Sequence, residues 1–153
     1  MLRLAAVRNA LAATTAAGVL ALMTGCAVNP MGGNDPTFSA TLSGANEVPP
    51  VQTAGTGTLE ARFDKETQLL RWKLTYSGLS GPITAAHFHG PATAGINAGV
   101  ALPLKPPLTG SVQGEATLTP VQTADLMAGK WYINLHTAAH PSGEIRGQLN
   151  PTR

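Results

Sequence analysis

The four histidines of this 153-residue chain fall in two segments. "AAHFHGPA" carries His87 and His89, and "INLHTAAHPSGEIRGQL" carries His136 and His140. On an extended strand, residues i and i+2 point to the same side, roughly 6 to 7 Å apart at the backbone. His87 and His89 can therefore turn their rings onto one ion, while Phe88 between them points the other way into a core. Neutral imidazole suits both zinc and copper, and a His-x-His pair on a strand is a recurrent donor arrangement for either.

His136 ends a second alternating stretch, "KWYINLH", on the side of Tyr132 and Asn134 and opposite the apolar Trp131, Ile133 and Leu135. His87, His89 and His136 are accordingly the candidate metal ligands, with His140, in the turn that follows, as an optional fourth. "GEIRGQL" is expected to form a hairpin with "KWYINLH", which sets Glu144, Arg146 and Gln148 on the polar face of Asn134 and His136. Asn134, Glu144 and Arg146 then become candidates to fix the orientation of the imidazoles. A polar network in which the histidines only hold loops in place is the competing account of the same residues.

The motifs of known catalytic machinery are mostly missing, so no catalytic residue is assigned, and whether the chain is an enzyme stays open, with a binding role favoured. There is no Gly-x-Ser-x-Gly elbow, and "GTGT" at 55–58 runs into a strand rather than the helix that a phosphate loop requires. The carboxylates are scattered along polar strand faces beside basic residues, as a solvated surface would have them.

The elements that must position the histidines are strands. Apolar residues alternate with polar ones in "TFSATLSG", "GTLEARFD", "LLRWKLTY", "SVQGEATLT", "KWYINLH" and "GEIRGQL", with "ITAAHFH" and "AGVALPL" as less regular strands between them. "DKET" reads as a tight hairpin turn. "TPVQTADLMAG" is the one helical stretch, with Thr119 or Thr123 as its cap and Pro120 in its first turn. About eight strands separated by Gly, Pro, Ser and Asn clusters predict an all-β fold, an antiparallel Greek-key-like β-sandwich or barrel with one short helix.

The N-terminus has a different character. Residues 1–25 have a basic start, with Arg3 and Arg8, and an uncharged Ala, Leu and Val-rich run, the layout of a secretory signal. The signal closes on "LMTGC", which resembles a bacterial lipobox and makes Cys26 the expected lipidation site. Residues 26–36, rich in Gly, Pro and Asn, read as a flexible tether, and residues 37–150 as the single domain. This layout implies a lipoprotein of the cell envelope, held through Cys26 in the outer membrane and facing the periplasm. Cys26 is the only cysteine, so no disulfide can form within the chain. Loss of Arg3 and Arg8 with the signal leaves equal numbers of basic and acidic residues, with no basic stripe for nucleic acid.

"FSATLSGANEVPPVQTAGTGT", "AAHFHGPA", "VALPL" and "WYINLHTAAHPSGEIRGQL", in that order, resemble the CHRD domain, named for chordin and widespread in bacterial exported proteins. The resemblance runs from about Phe38 to Leu149 and implies an all-β extracytoplasmic domain acting as a binding or structural module. A more distant likeness is to Cu/Zn superoxide dismutases, in which a His-x-His pair and a later histidine hold copper. It implies that His87, His89 and His136 stand for those ligands and Arg146 for an anion guide. The departures are the missing disulfide and zinc loop, with no aspartate in "GPATAGINAG", so at most a copper-only site survives. Three functions remain open: a module with a copper or zinc site, a copper-only dismutase-like enzyme, and a protein-interaction module without metal.

Overall fold

The computed structural model describes residues 34–152. The expected signal sequence 1–25, Cys26 and the expected tether as far as residue 33 lie outside the described residues. Nine strands form one continuous curled sheet: β1 (Thr37–Ser43), β2 (Thr56–Asp64), β3 (Leu69–Ser77), β4 (Ile83–His89), β5 (Val100–Pro103), β6 (Val112–Thr117), β7 (Tyr132–Thr137), β8 (Ile145–Gln148) and β9 (Asn150–Pro151). Their order is β5-β4-β7-β8-β1-β2-β3-β6, with the two-residue β9 beside β1. All the pairings are antiparallel. The expected all-β fold is present as a half-barrel whose ends are β5 and β6.

Local chemistry accounts for the connections that bracket these strands. Asp64 Oδ1 accepts hydrogen bonds from the backbone N–H groups of Glu66 and Thr67, closing the turn between β2 and β3. The one α-helix among the described residues, α1 (Pro120–Met127), is capped by Thr119 rather than Thr123. Thr119 Oγ1 accepts from Gln122 N while Gln122 Oε1 accepts from Thr119 N, a reciprocal capping box with Pro120 in the first turn.

The period-two pattern decides which face is buried. Phe38, Leu42, Leu59, Phe63, Leu70, Leu74, Phe88, Ile133, Leu135 and Ile145 all point into one core. Phe88 is held edge-on by Trp72, with ring centroids 5.2 Å apart, and lies 5.8 Å from Trp131. Complete burial of a side chain of this kind stabilises by about 1.5–3 kcal/mol. Phe88 thus nails β4 to the core, and its neighbours His87 and His89 must face the opposite side.

That opposite side is not the solvated face that an alternating pattern suggests. Tyr132, Asn134 and Arg146 are buried on the side of His89. The loop 90–99 and the segment around a 3-10 turn (Gly44–Asn46) supply the contacts that cover them: Arg146 reaches Ile96 and Asn97, and Asn97 Nδ2 donates to Val48 O.

Candidate metal centre

Three of the four histidines meet. β4 pairs with β7 in a register that sets His87 opposite Asn134 and His89 opposite Tyr132, with Ala85 opposite His136. One potential ligand nitrogen from each of His87, His89 and His136 then lies within 4.8 Å of the others. His87 Nδ1 is 3.1 Å from His136 Nε2. The Asn134 side-chain Oδ1 sits between the other two rings, 3.0 Å from His89 Nε2 and 3.0 Å from His136 Nε2.

Backbone carbonyls settle which nitrogens carry protons. His89 Nδ1 lies 3.0 Å from Ala98 O and His136 Nδ1 lies 3.0 Å from Pro141 O. A carbonyl only accepts, so in each neutral ring the N–H is on Nδ1 and the lone pair is on Nε2, facing the cluster. Donation of the remote N–H to a carbonyl is how metal-binding histidines are commonly oriented. Burial, followed by the like charge of the neighbouring rings, holds His87 below the ordinary imidazole range. Burial does the same for His136, against the opposing pull of the Pro141 carbonyl. Rings in this tautomer direct two lone pairs into the cluster, and His87 Nδ1, which can donate to His136 Nε2, joins them as a ligand set for zinc or copper once an ion displaces its proton. A tetrahedral ion at about 2.0–2.1 Å from each nitrogen needs them roughly 3.4 Å apart, so one ring must swing inward by about an ångström to close the set.

The surroundings hold His89 in place. The Tyr132 ring stacks on it, with centroids 4.8 Å apart and planes within 4°. β7 lies between β4 and β8, so Tyr132 turns its other face to Arg146, whose guanidinium carbon is 3.4 Å from the ring centroid. Arg146 in turn donates to Asn97 Oδ1 at 2.9 Å and to Ile96 O at 2.7 Å, which ties the loop 90–99 down over the site. The same loop returns Ala98 O to His89 and Ala98 N–H to the Tyr132 hydroxyl.

The remaining sequence candidates have other roles. His140 shapes the turn after β7 through backbone bonds with Thr137 and Gly143, and its ring is outside the three-histidine group. Glu144 does not contact the imidazoles and does not pair with Arg146. Its carboxylate instead accepts from Thr53 Oγ1, Ser80 N, Ser80 Oγ and Thr137 Oγ1 at 2.6 to 2.8 Å. Arg146 acts on His89 only through Tyr132. Of the three residues expected to orient the rings, Asn134 alone touches them.

Glu47 is a buried carboxyl that the sequence pattern did not single out. Its Oε1 has no hydrogen-bond partner. Together with Asn134 Nδ2 it occupies the space beside Gly143, at 2.6 and 2.9 Å from where a β-carbon would stand, and Gly143 has φ +130 besides. Burial raises the Glu47 carboxyl to about 7 from 4.5, with Arg146 and the Val48 N–H pulling partly the other way. The folded protein therefore binds a proton that the unfolded chain has released, and stability falls as pH rises from about 4.5 to about 7. Metal-free Glu47→Gln is expected to match the wild type at pH 4 and to exceed it by about 1–3 kcal/mol at pH 8. Thermal unfolding at the two pH values checks this; equal stability at pH 8 would mean that the carboxyl carries no such cost.

The CHRD domain family matches residues 38–149, which takes in β1 from its second residue, every strand from β2 to β8 and all of the cluster just described. The chain belongs to this family. Comparison with curated proteins and with solved structures found no match. Within this CHRD domain the histidines come from β4 and β7, two strands paired side by side although 42 residues separate their ends in the sequence between His89 and Tyr132.

Proposed function

We propose that this chain is an exported, lipid-anchored protein of the cell envelope whose CHRD domain is a binding or structural module holding one copper or zinc ion. His87, His89 and His136 would be the ligands. The observation that carries this reading is the convergence of three imidazoles, two of which have a ring nitrogen committed to a backbone carbonyl. A copper or zinc ion there would tie β4 to β7 and, through His89, to the loop 90–99. The lipid on Cys26 would be the membrane attachment, and the balanced charge argues against a nucleic-acid partner.

The test is metal analysis of the full chain carrying Cys26→Ser, beside the same protein with His87→Ala and His89→Ala. One equivalent of copper or zinc is expected in the first and none in the second. Metal at about 1,000 times its dissociation constant should also stabilise the first protein by about 4 kcal/mol and leave the second unchanged. Equally low uptake by both would defeat the metal reading and leave the histidines as a polar network. Mass analysis of the exported wild-type N-terminus tests the anchor separately, with an acylated Cys26 as the expected terminus.

A further inference from the structure

The amide of Asn134, in the orientation of this structure, sets a lone pair where a hydrogen-bonded account needs a donor. His89 Nε2 and His136 Nε2 are lone-pair atoms because their rings donate from Nδ1 to Ala98 O and Pro141 O. Each nevertheless lies 3.0 Å from Asn134 Oδ1, which is also a lone-pair atom. With the amide in this orientation Asn134 Oδ1 faces two acceptors with no proton between, at a partly buried position where such an arrangement is costly, and of the two only His136 Nε2 has another donor in reach, His87 Nδ1.

A cation at their centre converts the repulsion into coordination. Ligands at about 2.0–2.1 Å from a tetrahedral ion are spaced by roughly 3.4 Å. The separations of Asn134 Oδ1 from His89 Nε2 and from His136 Nε2, and of His136 Nε2 from His87 Nδ1, are 3.0, 3.0 and 3.1 Å, close to three edges of such a tetrahedron. We infer that Asn134 is itself a ligand, its Oδ1 completing with His87 Nδ1, His89 Nε2 and His136 Nε2 a three-nitrogen, one-oxygen site for a divalent cation. This rests on the metal reading above and adds to it the fourth donor and its consequence. Four protein ligands close the coordination sphere, and a closed site is structural, whereas a catalytic metal keeps a position open to water or substrate.

The rival arrangement turns the amide over. Nδ2 would then donate one hydrogen to each Nε2, and Oδ1 would face Glu47 Oε1, the unpartnered atom beside Gly143. Asn134 would orient the rings without binding the ion, and the ion would keep a water.

Cobalt(II) distinguishes the two, because it follows zinc into such sites and its visible spectrum reports the number and kind of ligands. The Cys26→Ser chain loaded with cobalt(II) is expected to give an intense four-coordinate spectrum that added azide does not change. Asn134→Ala should make that spectrum azide-sensitive and weaken zinc binding about 10–100-fold, while Asn134→Asp, with an oxygen in the same place, should restore azide insensitivity. A wild-type spectrum that already shifts with azide would overturn the inference, and this readout stands even if Asn134→Ala does not fold. Absence of cobalt and zinc uptake by the wild type would instead defeat the metal reading itself, a distinct result from uptake with an open position.

Discussion

Glu144→Gln is expected to lower the unfolding temperature of the metal-free protein by roughly 10–15 °C at pH 7, a loss of about 3 kcal/mol. The carboxylate receives four hydrogen bonds from three separate segments: Thr53, the start of the β3–β4 connection at Ser80, and Thr137 at the end of β7. Burial would raise this carboxyl, but the bonds from Ser80, Thr137 and Thr53 outweigh it and hold the group at about 2, against 4.5 when free. A depressed carboxyl stabilises the fold fully above about 4.5, and this contribution is lost as pH falls through about 2. Glutamine removes the charge and places an N–H₂ group against donors that need an acceptor. The deficit of the variant should therefore be large at pH 7 and mostly gone at pH 2, measured by thermal or denaturant unfolding at both. A deficit independent of pH would show that shape rather than charge is responsible. Zinc affinity should change far less than in Asn134→Ala, because Glu144 touches none of the imidazoles.

Arg146→Met should cost about 3–5 kcal/mol, the range for breaking a buried charged interaction from one side. Methionine keeps much of the length of the side chain but none of its donors. Asn97 Oδ1 and Ile96 O lose their partner, Tyr132 loses the cation against its ring, and Glu47 loses the one positive charge that holds its carboxyl down. The effect should be local as well as global. Amide hydrogen exchange is expected to quicken at Ile96 and Ala98, whose loop Arg146 pins, before it quickens in β1 to β3. The rise in stability on lowering pH from 8 to 5 should also be steeper than in the wild type, because Glu47 is more costly to ionise without the guanidinium. Uniform exchange across the domain, with no excess at 96–98, would show that the arginine does not anchor the loop.

Much of this architecture was legible residue by residue. Phe88 flanked by two histidines, and Trp131, Ile133 and Leu135 alternating with Tyr132, Asn134 and His136, state which side chains share a face. The β7–β8 hairpin followed from proximity in the chain, and its register sets Asn134 opposite Arg146, on the shared face expected of the two. The Thr119 cap was one of two choices, resolved by the reciprocal bonds of Gln122. The covering of the polar face was not legible: alternation distinguishes two sides of a strand, but it does not say that a loop will fold over the polar one. Tyr132, Asn134, Glu144 and Arg146 look like surface residues in the sequence and are buried in the fold. Glu47 gave no signal, since its neighbours in "NEVPP" form no periodic pattern. Glu144 and Arg146, two residues apart and opposite in charge, do not pair: Glu144 accepts from Thr53, Ser80 and Thr137, and Arg146 donates to Ile96 and Asn97.

The sequence by itself determined the main strands, the helix after β6 and the side to which His87, His89 and His136 point, because side-chain direction along an extended chain is a local covalent property. The tertiary structure alone decided that β4 lies against β7, that His136 reaches His87 while His140 does not, and that Asn134 stands between two rings. Those outcomes depend on pairing strands separated by β5, β6 and α1. Such pairing is chosen by burial summed over the whole sheet, and no short stretch of sequence contains that sum.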